Sequence, residues 1–571
     1  MKILIKEISL DQSVEFKDIK SWYDVHLHPS VIDIDDQHVY EHIYHSGRWA
    51  GIFQFTARGA QQFCTKARPT NIIEIAAITS IYRPGPLVAS VDKQFVEAKQ
   101  HPDDVVYDHP LIKDVLGSTF GFLVFQEQML KLGNVVGNMP LAKCDRLRKV
   151  ITKRTAAAKD KAAIESEQLG KEFIAGAIEN GFTLSRAEEL WDNMAAFKGY
   201  AFNLSHALSY AIDSYMCAWL MTYYEPEWLC AYMETQANNP LKRAKALGEL
   251  MAQGYEIVRV DINKATEKWT IIDTDAAGNP VKQFMPSFLT VKGLGEVAVN
   301  EIYLNRPYKT VGNLLWKEDA SSGRVWRHSK FNKKAFENLI RIRAFDSMGI
   351  VGPGKIFASY KQMLTTLIGE FEWNAEKKKL VVSVDNMKDL KHKKKGFDKL
   401  QEQLEKYSTP EWSKEWTKEE LLAMSKELVG SYDLDLLIST ELRKALYSKR
   451  FHCIDELVKA KKDDGEDDVD DLDDVIDDGV VKAKGHWFII EEITPRVSKS
   501  GKHFLLLNVF GEAGSVYRLY VWNWNPEWWE FAPLKKYKTF LAQDIETTEF
   551  GFSVKMKDMR PAVDRWLTEE Q

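Results

Sequence analysis

Lys198 to Met233 reads KGYAFNLSHALSYAIDSYMCAWLMTYYEPEWLCAYM, and the rest of the chain is best understood from it. Aromatic residues, Asn203, Ser205 and His206 precede a long apolar run compatible with a helix. The run reaches the roughly 18 residues that a membrane span needs. Asp213 and the hydroxyls of Ser209, Ser214 and Thr222 argue instead for a buried helix with a polar N-terminal edge. Asn203 or Ser205 can cap it, leaving N–H groups aimed at whatever docks there. On local pattern alone, a core helix with an ordinary cap is the better explanation of the stretch.

Composition sets wide bounds. With 571 residues, 45% of them hydrophobic and 28% charged, the chain is long enough for several globular domains. The net charge of −6 does not announce nucleic-acid binding, but an acidic tract from Asp463 to Asp478 concentrates the negative charge. Cys64, Cys144, Cys217, Cys230 and Cys453 have no paired spacing, which suits a reducing cytoplasm. The amino-terminal MKILIKEISLDQSVEF lacks the apolar core of a signal peptide.

Residues 1–48 carry His26, His28, His38, His42 and His45 at strand-like and helix-like spacings. No Cys or carboxylate clearly completes a metal site, and a solvated helix start is the better reading of Asp35-Asp36. From Gly51 to Met233 the pattern is helical, with a rigid turn at Pro84-Gly85-Pro86 beside Arg83. Arg148, Lys149, Lys153 and Arg154 gather positive charge toward one helix side, where phosphate binding and a solvated face compete as explanations. Lys292, Gly293 and Gly295 form a glycine turn opening a helix, a geometry that offers N–H groups to a DNA phosphate. Lys391 to Lys395 is a basic loop, and the tract after Asp463 is a linker. From His486 onward short apolar strands alternate with Ser-Gly and Ala-Gly turns, as in an OB-type barrel. Its Trp522, Trp524, Trp528 and Trp529 can stack single-stranded bases or pack a core.

Several stretches occur in the order found in bacterial-type family C replicative DNA polymerases, the alpha subunit of DNA polymerase III. They are GIFQFTARG from Gly51, YRPGPL from Tyr82, TFGFLVFQEQM from Thr119, LRKVITKR from Leu147 and YAFNLSHALSYAIDSYM from Tyr200. VKGLG from Val291, NKKAFENLIRIRAFDSMG from Asn332 and EWTKEELLAMSKELVGSYDLDLL from Glu415 follow. The resemblance runs from about Ile34 to Leu437, and it implies fingers followed by a helix-hairpin-helix region and an OB domain. It assigns Arg148, Lys149, Lys153 and Arg154 to the triphosphate of an incoming nucleotide, with Arg83, Asn203 and His206 lining or bracing the pocket. Leu204 stands where the family usually has Lys, Lys149 replaces the second Arg of a pair, and Thr152 replaces Gly. The family also carries a sliding-clamp peptide. Gln362 to Leu367 has its Gln-plus-apolar start without the aromatic end, and an ordinary amphipathic helix is the reading taken there.

Family members place two metal-binding palm carboxylates before the fingers, and residues 1–50 contain no such aspartate pattern. The resemblance is therefore to the carboxy-terminal part of a split polymerase, as in some large bacteriophages. The expected partners are a palm-bearing polypeptide that binds Mg²⁺, primer-template DNA, deoxynucleoside triphosphates and a sliding clamp, in the cytoplasm and away from membranes. The expected fold is multidomain: residues 1–48 a connector to the missing palm, 49–236 mainly α-helical fingers, and 237–348 an α+β domain with the helix-hairpin-helix. A charged helical region (349–462), an acidic linker (463–479) and an all-β OB-type barrel (480–571) complete it. The alternative is a non-catalytic DNA-binding or scaffolding subunit that keeps the fingers fold.

Overall fold

A computed structural model describes residues 16–82, 90–152, 159–196 and 202–236, most of 242–457 and most of 485–562. Arg83, the Pro-Gly-Pro turn, Lys153, Arg154, the acidic tract, Trp528 and Trp529 lie outside the described residues. The chain divides into two compact units, one built from residues 1–225 and the other from 226–461 and 481–571.

The first unit is helical. Its helices are α1 (Phe16–His26), α2 (Arg58–Ala67), α3 (Ile72–Ile81), α4 (Val91–Gln100), α5 (Pro110–Leu116) and α6 (Gln126–Lys131). They continue as α7 (Leu141–Thr152), α8 (Lys159–Glu179), α9 (Leu184–Ala196) and α10 (Leu204–Tyr223). The central helix, α10, buries a stripe of mostly small residues, Ala207, Ala211, Ser214, Tyr215, Ala218 and Met221. That stripe packs closely along α3, where Ile75, Ala76, Ala77 and Ile78 are fully buried. Small side chains on both helices let the backbones approach and keep dispersion contacts dense. The N-cap is Asn203, whose side chain accepts from the His206 N–H.

The segment expected to be a connector is partly woven into this core. Tyr40, Ile43 and Tyr44 are fully buried on a single π-helical turn, Tyr40–His45. The Tyr44 hydroxyl meets Ser214 Oγ at 3.0 Å, and the Tyr215 hydroxyl donates to the Asp33 carbonyl at 2.8 Å. A second apolar cluster joins α5 to α9 through Met129, Leu147, Phe173 and Met194. Here α8 crosses the 137 turn so closely that a Cβ on Gly176 would fall 2.0 Å from the Gly137 carbonyl oxygen, so only glycine fits.

The second unit mixes strands and helices. Strands β1 (Glu256–Ile257), β2 (Thr270–Thr274) and β3 (Pro280–Met285) form a small sheet in the order β1-β3-β2. Beyond it come α11 (Glu296–Leu304), the hairpin β4 (Trp316–Asp319) and β5 (Gly323–Trp326), and α12 (Lys333–Arg341). Helix α13 (Tyr360–Leu367), the hairpin β6 (Gly369–Asn374) and β7 (Lys379–Asp385), then α14 (Gly396–Lys406) and α15 (Lys418–Val429) share its apolar core or flank it. The region 349–462 is therefore not helical throughout, because the alternating EFEW and LVVSV segments pair as a hairpin. Gln362 is buried within α13, accepts from the Ala358 N–H and donates to the Tyr407 carbonyl. Met363, Leu364 and Leu367 are buried with it, so this segment packs a core and presents no clamp peptide.

The final sheet runs β13-β14-β11-β10-β9-β12-β15, with β8 also paired to β9. Its strands are β8 (Phe451–Cys453), β9 (Gly485–Val497), β10 (His503–Phe510), β11 (Val516–Trp522), β12 (Thr539–Ala542), β13 (Glu546–Thr548), β14 (Gly551–Lys555) and β15 (Met559–Pro561). The long β9 pairs with β12 near its start and with β10 toward its end, so the sheet curls into a half-barrel. Leu505, Leu507, Leu519, Val521, Phe540 and Val554 fill the interior. Trp487 to Ile490 are all buried because the outer face of β9 is covered as well, by Leu442 and Leu446 of a preceding helix.

Candidate functional site

Two of the quoted stretches meet in the first unit. Residues 124–125 enter α6 in an extended conformation and pair with Phe202, just before α10. The Gln126 N–H donates to the Phe202 carbonyl at 2.9 Å, and the Phe202 N–H donates to the Val124 carbonyl at 3.3 Å. Gln128 reaches back to accept from the N–H groups of Val124 and Phe125, both at 2.9 Å, which fixes the turn into α6. The Glu127 carboxylate then accepts from the Leu204 N–H at 2.8 Å and from the Asn203 side-chain amide at 3.0 Å. Asn203 Oδ1 accepts from the His206 N–H at 2.9 Å and from the Ser205 hydroxyl at 2.6 Å.

The positive end of α10 is thus already answered. The chain's own Glu127 carboxylate and the Asn203 cap occupy N–H groups that the sequence reading left open to a ligand. The His206 ring stays exposed and lies 4.2 Å from the Tyr210 ring and 5.3 Å from Phe202, centroid to centroid.

Helix α7 brings one of its basic residues, Arg148, to the same α6 terminus. Arg148 Nη1 donates to Gln126 Oε1 at 3.2 Å, while its Nε and Nη2 donate to Asp145 Oδ1 at 3.2 and 2.9 Å. Lys149 Nζ is 2.7 Å from the other Asp145 oxygen. One carboxylate therefore holds both cations, and their hydrogen bonds, Lys149 first and then Arg148, keep the Asp145 carboxyl below the usual range. Of the seven residues expected at a nucleotide site, the structure brings Arg148 close to the α6–α10 junction that holds Asn203. Lys149 lies beside Arg148, and Arg83, Lys153 and Arg154 are not described. Sequence reasoning missed Gln126, Glu127 and Asp145. Only Asp145 carried a local signal, its i,i+3 and i,i+4 relations to Arg148 and Lys149.

The glycine turn in the second unit has Gly293 at φ +85°, and Gly295 caps α11. Its Lys292 backbone is held on both sides. The N–H donates to the Leu428 carbonyl at 2.6 Å, and the carbonyl accepts from Asn338 Nδ2 at 2.6 Å. The Lys292 N–H is thus committed to α15, while its exposed ammonium lies 3.5 Å from Glu427 and the side of Gly295 is open. On the outer face of the half-barrel, Trp522 is half-buried and donates to Ser553 Oγ at 3.0 Å. Phe504 lies 4.8 Å from Trp522 and 6.0 Å from Tyr520, making an aromatic row across β10 and β11. Trp524 is 7% exposed and sits in the interior cluster, so its ring packs the sheet.

Three of the histidines near the start make contacts within the fold. His45 Nε2 contacts the Pro69 carbonyl at 2.8 Å, and His38 stacks on His42 at 5.3 Å. Asp36 caps His38 and accepts from the Tyr223 hydroxyl at 2.5 Å. Among the described residues no three His, Cys, Asp or Glu side chains converge as a metal site. No helix among them is long and apolar enough to cross a membrane.

Residues 13–181 match the family model of the bacterial DNA polymerase III alpha subunit finger domain. The chain is also similar to proteins named DNA polymerase III subunit alpha. Identity is 30% to that of Aquifex aeolicus, over 57% of this chain and 26% of the relative. It is 29% to that of Chlamydia trachomatis, over 71% and 30%, and 28% to that of Campylobacter jejuni, over 58% and 26%. The similarity to bacterial-type family C alpha subunits read from the sequence holds in both comparisons. The chain spans about a quarter to a third of the length of these relatives.

Proposed function

We propose that this chain supplies the fingers and DNA-binding regions of a replicative DNA polymerase, with the palm carboxylates on a partner polypeptide. The observation that carries this reading is the α6–α7 cluster, with Arg148 on Gln126 and Lys149 beside it on Asp145, inside the span that matches the finger domain. An incoming deoxynucleoside triphosphate brings several negative charges. It takes the Arg148 fork and the Lys149 ammonium from Asp145, exchanging one carboxylate for phosphate oxygens. His206 and Asn203 border the same surface, and Arg83, Lys153 and Arg154 extend it. Cations fixed there also stabilise charge that grows on the leaving pyrophosphate. The Mg²⁺ chemistry of the transfer belongs to the palm, and no step here passes through an ion on this chain.

The remaining regions hold primer-template DNA. The 291–295 turn before α11 is read as a helix-hairpin-helix contact through Lys292, Gly293 and Gly295. The half-barrel is read as an OB-type domain. Two features support that: β11 runs parallel to β14, and β9 is shared between β10 and β12. Trp522, with Phe504 and Tyr520, is its stacking surface, while Trp524 serves the interior. The second reading, a non-catalytic DNA-binding or scaffolding subunit, is favoured by one observation: Asp145 already pairs both Arg148 and Lys149.

Purification with a palm-bearing chain, followed by primer extension, separates the two. The polymerase reading expects extension only when both chains are present. A palm-bearing chain that extends primers equally well without this one supports the scaffold.

A further inference from the structure

The basic loop after Leu390 belongs to neither site above. The sequence from Lys388 to Lys399 holds six lysines against two aspartates. The loop is built, not merely charged. The Trp316 indole N–H donates to the Leu390 carbonyl at 3.1 Å, tying the loop to β4. The Gly396 N–H donates to the His392 carbonyl at 2.9 Å, and the Lys395 N–H donates to His392 Nδ1 at 3.2 Å. Gly396 closes the turn where a Cβ would lie 2.4 Å from the Leu390 carbonyl oxygen.

The β4–β5 hairpin adds to this loop from the side. Lys391 Nζ lies 5.4 Å above the Trp326 ring, and the Arg324 guanidinium lies 4.4 Å above Phe397. Arg324 also has Glu318 at 3.6 Å, a loose pair with a carboxylate that is 87% exposed. Lys391, Lys395, Arg324 and Phe397 are all exposed. Cation–π contact orders two long side chains in advance and leaves their outward N–H groups for a ligand, so less entropy is lost on binding. The ring faces that carry these cations are closed to base stacking.

We propose that Arg324, Lys391 and Lys395 form a sequence-independent contact to the phosphate backbone of double-stranded DNA, separate from the glycine turn and the aromatic row. Phosphate fits because the surface is cationic. A duplex fits because its bases are already stacked and ask nothing of Trp326 or Phe397. This inference rests on the DNA-binding part of the proposed function.

The test is fluorescence anisotropy of the full chain with a labelled duplex of about 20 base pairs, between roughly 50 and 200 mM salt. The variant carries Arg324→Gln, Lys391→Gln and Lys395→Gln, and a control carries Lys20→Gln, Lys171→Gln and Lys264→Gln with the same net charge. Each lost phosphate contact removes about 0.9 from the slope of log affinity against log salt, so the variant slope should flatten by roughly 2–3. Duplex affinity at low salt should fall at least tenfold, with single-strand affinity changed less than about twofold. Parallel slopes for variant and unsubstituted chain, or equal flattening by the control, would overturn the assignment. An unsubstituted chain that binds no duplex would remove the DNA-binding reading beneath it. Thermal melting of both variants keeps a folding defect from being mistaken for lost contact.

Discussion

Replacing Arg148 by Ala separates a nucleotide contact from a surface salt bridge. In the folded chain the guanidinium donates to Asp145 through Nε and Nη2 and to Gln126 through Nη1. Removing it strands no buried charge, because Asp145 keeps Lys149 at 2.7 Å and is 44% exposed. The melting temperature should therefore move by no more than about 2 °C. Phosphate binding loses far more. A charge-assisted hydrogen bond contributes roughly 1.5–3 kcal/mol, so kcat/KM should fall about tenfold to a hundredfold. Asp145→Asn makes the opposite prediction. It preserves the side-chain shape and removes the charge that competes with the triphosphate, so the apparent KM should fall roughly threefold to tenfold. The assay is the dATP dependence of primer extension by the two-chain enzyme, with Lys449→Ala, outside the proposed site, as a control. Unchanged kinetics for Arg148→Ala, or both variants moving the same way, would refute the reasoning.

Three further outcomes follow from other contacts. Glu127→Ala removes two hydrogen bonds that tie α6 to the start of α10, each contributing about 1 kcal/mol, so amide exchange at residues 204–207 should quicken. Exchange rates equal to those of the unsubstituted protein would mean that the tie is unimportant. Burial pushes the His328 imidazole down to about 4 from 6.5, so the unfolded chain takes up a proton before the folded one does. Stability should fall as pH drops from about 6.5 toward 4, by about 3 kcal/mol in all, and a His328→Gln protein should lose that part of the dependence in urea melts. Trp522→Ala should weaken single-stranded DNA binding by about 1–3 kcal/mol with the fold intact, whereas Trp524→Ala should destabilise the half-barrel by roughly 3–5 kcal/mol. Reversed effects in the two tryptophan variants would exchange their roles.

How much the sequence disclosed depended on how far apart the interacting residues lie. The α10 helix and its Asn203 cap were readable because apolar spacing and a capping residue are local signals. The strand pattern after His486 was readable for the same reason. Glu127 was not, since its partners at 203 and 204 lie more than seventy residues away and nothing local marks a carboxylate as a latch. Asp145 looked like an ordinary helix-surface residue because i,i+3 and i,i+4 ion pairs occur on any solvated helix. Tyr40 and Tyr44 sit in a polar, histidine-rich segment, and only the α10 surface beneath them explains their burial. The β6–β7 hairpin was hidden by the charged residues around it, whereas the helix over Gln362 to Leu367 was readable from its local pattern. Trp522 and Trp524 are two residues apart yet differ in fate. Trp522 ends β11 on the outer face, while the chain turns at Asn523, φ +58°, and sends Trp524 inward.

The most direct measurement of the central claim is where a nucleotide touches this chain. A photoreactive azido-dATP, bound to the two-chain enzyme on primer-template with Mg²⁺, can be crosslinked and the labelled peptides mapped by mass spectrometry. The account predicts label on residues 124–154 or 203–210 that is competed by unlabelled dATP and lost in Arg148→Ala. Label confined to residues 226–571, or unchanged labelling in Arg148→Ala, would contradict it.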